Sequence, residues 1–129
     1  MGQPVLGVLV THAALGSELL RTAEAILGPQ ERVEVLSNTG TSVESLSGDL
    51  RSLIAEEPDA PVFLFVDLLG GSCGHVCQLI RGLHPNTTVF SGVNLPMFLE
   101  FLYHRDRVSI DELKERILSK GRDGIQCLA

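Results

Sequence analysis

The chain reads as an open, mostly parallel, doubly wound α/β sheet with helices on both faces. Two observations predict this. Near-continuous apolar runs rich in Val, Leu and Phe occupy residues 5–10 and 62–66, the pattern of strands buried on both faces. Segments of helical periodicity separate such runs, so strand and helix alternate along the chain. With 129 residues, 44% apolar and 20% charged, a single domain over residues 1–129 is expected to bury a sizeable core.

Taken in order, residues 5–10 form β1, ending at Thr11 and His12. Leu15, Leu19, Leu20, Ala23, Ile26 and Leu27 recur at helical spacing and predict α1 over 14–27, stopped by Gly28 and Pro29. Residues 32–36 alternate and suit an edge strand, β2. Thr41-x-x-Glu44 matches a capping box, opening α2 with Val43, Leu46, Leu50, Leu53 and Ile54 inward. Residues 62–66 are β3. Helix α3 is expected over 71–83 with Val76, Leu79, Ile80 and Leu83 inward, and 87–91 is β4. Asn94 suits the N-cap of α4 and Pro96 its first turn, with Met97, Phe98, Phe101 and Leu102 as core. Ser109-x-x-Glu112 opens α5, whose inward residues are Ile110, Leu113, Ile117 and Leu118. The tail, 124–128, reads as a short last strand.

The bulk properties exclude several functions. A net charge of −6 without a basic cluster argues against nucleic acid and suits a basic protein partner. No apolar run reaches the roughly 18 residues of a membrane span, so no direct membrane insertion is expected. The start, Met1-Gly2-Gln3-Pro4, lacks the basic residues of a signal peptide, and Leu6 breaks a myristoylation pattern at Gly2. Three cysteines, Cys73, Cys77 and Cys127, without C-x-x-C, read as reduced thiols of a cytoplasmic protein.

With strand order 2-1-3-4, the topological switch point lies between β1 and β3. His12 ends β1 and Asp67 ends β3. Neighbouring parallel strands lie about 5 Å apart, so the two side chains fall within hydrogen-bonding reach. A carboxylate that accepts one ring N–H fixes the tautomer and leaves the other nitrogen nucleophilic. Gly70, Gly71 and Ser72 offer an anion close backbone approach, free N–H groups at a helix start and a hydroxyl. The set suits phosphoryl transfer through histidine, with no metal site and no cofactor. Each part also has a plain structural reading. A histidine at a strand end is commonly a hydrogen-bonder, Asp67 can cap a loop, and G-G-S alone is a weak motif.

Three blocks carry a family resemblance: G-V-L-V-T-H at 7–12, F-V-D-L-L-G-G-S at 65–72 and S-G-V-N-L-P-M-F-L-E at 91–100. With them the chain resembles the mannose-type EIIA domain of the bacterial sugar phosphotransferase system over nearly its whole length. The resemblance implies that His12 accepts a phosphoryl group from phospho-HPr and passes it to an EIIB domain, for sugar import or regulation. It implies that Asp67 orients His12, with the Gly71 backbone and Ser72 at the phosphoryl group. Thr11, Ala13, Gly70, Asn94 and Pro96 are candidates for the site rim. It further implies a homodimer with an exchanged C-terminal strand, for which 124–128 is the candidate; because the chain ends where a fused version would carry a linker and an EIIB domain, any EIIB is expected on a separate chain. The chain departs from the pattern at Ala13, where the family usually has Gly, and at Cys73-Gly74-His75. Alternatives are the phosphotransfer subunit of a dihydroxyacetone kinase, a binding module that has lost transfer, and a small hydrolase.

Cys73 and Cys77 share a helix face while His75 points elsewhere, so a metal site here needs ligands from outside the segment. A redox role for Cys73 rests only on its place near a helix start. His84 is expected in a solvated loop, and His104-Arg105-Asp106-Arg107 in a surface turn of mixed charge.

Overall fold

The computed structural model describes residues 4–129, so the readings made at Met1, Gly2 and Gln3 lie outside the described residues. Strands β1 (Leu6–Thr11), β2 (Val33–Ser37), β3 (Val62–Val66) and β4 (Thr87–Ser91) alternate with α1 (Leu15–Leu27), α2 (Val43–Ala55), α3 (Gly71–Leu83), α4 (Leu95–His104) and α5 (Ile110–Asp123). All pairings are parallel and the order is β2-β1-β3-β4. The register sets Val10 beside Val66, so Thr11-His12 and Asp67 leave the sheet side by side.

Continuous apolar runs are explained by burial on two sides. Every residue of β1 and β3 is buried. Val8, Val10, Leu64 and Val66 pack with Leu46, Leu50 and Ile54 of α2 and Val76, Cys77 and Ile80 of α3. Leu9, Phe63 and Phe65 pack on the other face with Ala23 of α1, Phe98 and Phe101 of α4, and Leu113 and Ile117 of α5. The Phe65 and Phe101 rings lie 4.8 Å apart. That contact needs Gly7, since a Cβ there would fall 2.5 Å from the Phe101 ring. Among the described residues, no helix is long and apolar enough to cross a membrane.

Several expectations are corrected. Leu79 and Leu83 of α3 are exposed, and the small residues Cys73, Gly74 and Cys77 take the inward positions. Leu15 and Ile26 of α1, Val43 of α2 and Leu118 of α5 are likewise exposed. Ser42, not Thr41, caps α2, its Oγ accepting the Ser45 N–H at 3.0 Å. At α5 only half of the capping box forms: Ser109 Oγ accepts the Glu112 N–H, but the Glu112 carboxylate turns to Arg116. His84 is half-buried with its Nε2 shielded from solvent. Arg105 is buried, its guanidinium donating to the carbonyls of Val5 and Arg32 at the amino-terminal edge of the sheet. The tail forms no strand: Ile125 is 78% exposed, and among the described residues none pairs along the outer edge of β4.

Candidate functional site at the switch point

The termini of β1 and β3 bring His12 and Asp67 into direct contact. Asp67 Oδ2 accepts the backbone N–H of His12 at 2.9 Å and lies 3.0 Å from Nδ1 of its ring. Asp67 Oδ1 accepts the Leu68 N–H at 2.9 Å. Burial pushes the Asp67 carboxyl pKa up, but the hydrogen bonds from the His12 backbone, the His12 ring and Leu68 outweigh it and hold the group below its ordinary value. Asp67 is therefore an anchored anion facing Nδ1. The neutral ring that matches it carries its proton on Nδ1 and leaves Nε2 with a lone pair.

Nε2 is directed at the start of α3. A Cβ on Gly71 would lie 3.5 Å from Nε2, and Gly71 adopts φ +88°, a conformation that favours glycine. Gly70 occupies the N-cap with no side-chain cap bond, so the first N–H groups of α3 remain open to an anion. Ser72 stands beside them, half-buried. Leu15, Leu68 and Leu69, close in sequence to the pair, are exposed apolar side chains. The loops around the site, 11–17, 37–42, 67–75 and 91–96, contain no Lys or Arg.

The other rim candidates have clear placements. Thr11 is buried, and its Oγ1 accepts the Gly16 N–H at 2.7 Å, which secures the start of α1. Ala13 is exposed at φ 49°, the left-handed region. Asn94 caps α4 through Met97 N–H and donates to the Gly121 carbonyl. Pro96 packs on Gly124. These two are engaged with α5 rather than with His12.

Sequence reasoning missed Ser37 and Asn38, at the carboxyl end of β2. Asn38 Oδ1 accepts the Ala13 N–H at 3.2 Å, and Ser37 Oγ donates to the Ala13 carbonyl at 2.8 Å. The Asn38 N–H donates to the Thr11 carbonyl at 3.2 Å. Together they clamp the turn that carries His12. Their signal was the register, since β2 also ends at the crevice. Cys73 was left unexplained, and it lies buried against the pair. His12, Asp67 and Cys73 each offer one ligand atom within 4.8 Å of the others. Gly74 is explained by the close approach of the 67–71 loop, which leaves no room for a Cβ.

Known proteins share this arrangement of chain. Residues 7–118 match the EIIA-man family, described as "PTS system fructose IIA component". The "PTS system mannose-specific EIIAB component" of Escherichia coli (strain K12) is 34% identical over 127 residues, covering 94% of this chain. The chain spans 38% of that relative's length. The "PTS system sorbose-specific EIIA component" of Klebsiella pneumoniae is 24% identical, covering 88% of this chain and 84% of the relative. Among solved structures, a phosphotransferase system component EIIA from Streptococcus agalactiae superposes with a TM-score of 0.87 at 24% identity, over 95% of this chain and 96% of that one. A mannose/sorbose specific IIA subunit from Enterococcus faecalis gives 0.86 at 22% identity, over 98% and 96%. At those identities the structures speak for the fold, while the sequence matches speak for descent. The match over residues 7–118 takes in β1, β3 and the start of α3, and on it the chain belongs to the EIIA-man family of the phosphotransferase system.

Proposed function

We propose that the chain is a phosphocarrier, with Nε2 of His12 as its acceptor atom. The observation that carries this reading is the hydrogen bond between Asp67 and Nδ1, which leaves Nε2 open over Gly71. In the forward step, the Nε2 lone pair attacks the phosphorus of a phosphohistidine on phospho-HPr. The bond from phosphorus to the donor nitrogen breaks, and its electron pair stays on the donor ring. The His12 ring, now bearing hydrogen on Nδ1 and phosphorus on Nε2, gains positive charge, which the Asp67 carboxylate offsets. The N–H groups opening α3 and the Ser72 hydroxyl receive the phosphoryl oxygens. An EIIB domain then takes the group by the reverse attack. Each partner would supply the cation that the surrounding loops lack, and Leu15, Leu68 and Leu69 give it an apolar landing surface. The expected setting is the cytoplasm.

Pairing with a second copy completes the proposal. Among the described residues β4 is bonded to one neighbour only, and the apolar tail residues Ile125 and Leu128 are exposed. The tail of one chain laid along β4 of another would cover both.

The test is incubation with phosphoenolpyruvate, enzyme I and HPr. The proposal expects an acid-labile, base-stable phosphoryl group, absent from His12→Ala, that persists until EIIB is added. Absence of label with an HPr shown to be active would reject it, and continuous release of phosphate without EIIB would indicate a hydrolase.

A further inference from the structure

We propose that His12, Asp67 and Cys73 form a zinc site, and that zinc bound there blocks phosphorylation of His12. The inhibitory half rests on the phosphocarrier reading above; the binding half does not.

Three residues from two loops and a helix converge here, and they offer nitrogen, oxygen and sulfur. This is a donor set for a borderline-soft divalent cation and a poor one for Mg²⁺ or Ca²⁺, which require several oxygens. Tetrahedral zinc takes nitrogen and oxygen at about 2.0–2.1 Å and sulfur at about 2.3 Å, so its ligand atoms stand roughly 3.3–3.6 Å apart. His12 Nδ1 already lies 3.0 and 3.2 Å from the two oxygens of Asp67. All three ligand atoms lie within 4.8 Å of one another, so a cation closes the site by small side-chain adjustments. Asp67 is held by the N–H groups of His12 and Leu68, so the carboxylate is fixed before a cation arrives. The His12 side chain is 36% exposed, so solvent reaches the site and a water can complete the set.

Zinc chemistry at this point opposes the transfer chemistry directly. The cation takes the Nδ1 lone pair, so the ring proton that Asp67 held moves to Nε2. That nitrogen then has no lone pair for phosphorus. The thiol of Cys73 gives up its proton on binding, and one proton is released to solvent for each zinc bound. The geometry that makes Nε2 a nucleophile in the metal-free protein is thus the geometry that zinc dismantles.

The experiment uses the full chain, Co²⁺ as a spectroscopic probe and Zn²⁺ as competitor. The expected result is one Co²⁺ per chain, with a thiolate-to-cobalt charge-transfer band that Zn²⁺ abolishes. Cys73→Ser should remove the band and weaken zinc binding by more than about 100-fold, while Cys127→Ser should leave both unchanged. Zinc, but not equal Mg²⁺, should slow phosphoryl transfer from preformed phospho-HPr to the native chain. It should not slow transfer to Cys73→Ser. Absence of the band, or a band that survives Cys73→Ser, would overturn the site. A band that depends on Cys73, in a chain that an active phospho-HPr never phosphorylates, would uphold the metal site and reject the carrier reading.

Discussion

Gly74→Ala tests how the loop that holds Asp67 is supported. A Cβ at position 74 would fall 1.9 Å from the Leu69 carbonyl oxygen, 2.4 Å from its carbon and 2.6 Å from the Leu68 oxygen. The obstacle is backbone, so no side chain can swing aside. An ordinary contact needs about 3.4 Å, so loop and helix must separate by more than 1 Å. Overpacking of this kind costs typically about 1–3 kcal/mol, and the backbone obstacle places it at the upper end. For a chain of this length, each kcal/mol lowers Tm by about 4 °C, giving a drop of roughly 8–12 °C. The displaced residues carry the Leu68 N–H that binds Asp67. A misplacement near 1 Å at a reacting centre costs on the order of 10²-fold in rate. Urea and thermal unfolding read the first effect, and the rate of phosphorylation by phospho-HPr the second. Gly48→Ala in the middle of α2 is the control, because its Cβ would meet nothing within 4 Å. It should stabilise the chain by about 0.5–1 kcal/mol. If Gly74→Ala kept native stability and rate, the packing argument for Gly74 would be wrong.

Other expectations concern the site and the thiols. Asp67→Asn should lower transfer on the order of 10³-fold, because an amide no longer stabilises the charged ring. The Asp67 carboxyl is held below its ordinary value of 3.8, so the fold favours its ionised form. That stabilisation is complete above the ordinary value and fades as pH falls through the lower folded value, and Asp67→Asn should flatten this limb of acid unfolding. Asn38→Ala should slow phosphorylation about tenfold by releasing the Ala13 turn. Combining it with Ala13→Gly, which adopts φ 49° without strain, should recover most of the loss, and equal rates in both backgrounds would refute the clamp. In the native protein, alkylation should reach exposed Cys127 and spare Cys73 and Cys77 until unfolding. Burial is the main reason, as it pushes the Cys77 thiol pKa up to about 12.

The strands and the His12–Asp67 contact were legible for one physical reason. A strand buried on two faces must be apolar throughout, so its ends are sharply marked, and a carboxylate or imidazole placed there stands out. Parallel pairing then limits which ends can meet. Helix faces were less legible, because assigning Leu79 and Leu83 inward assumed that the largest apolar residues point to the core. In α3 the close approach of the 67–71 loop demands small residues instead, and Cys73, Gly74 and Cys77 take that side. Ser37 and Asn38 carry no periodic signal, and only the register of β2 against β1 brings them to Ala13. The tail lacks a pairing partner among the described residues, so its apolar residues had no destination to reveal.

The central claim is that Asp67 holds Nδ1 and leaves Nε2 of His12 to take the phosphoryl group. The direct measurement is the position of phosphorus on the ring after transfer from phospho-HPr, read by phosphorus–nitrogen coupling in NMR of ¹⁵N-histidine-labelled protein. The account predicts phosphohistidine on Nε2 of His12, with the Nδ1 proton retained. Phosphorus on Nδ1, or on any other histidine, would contradict it.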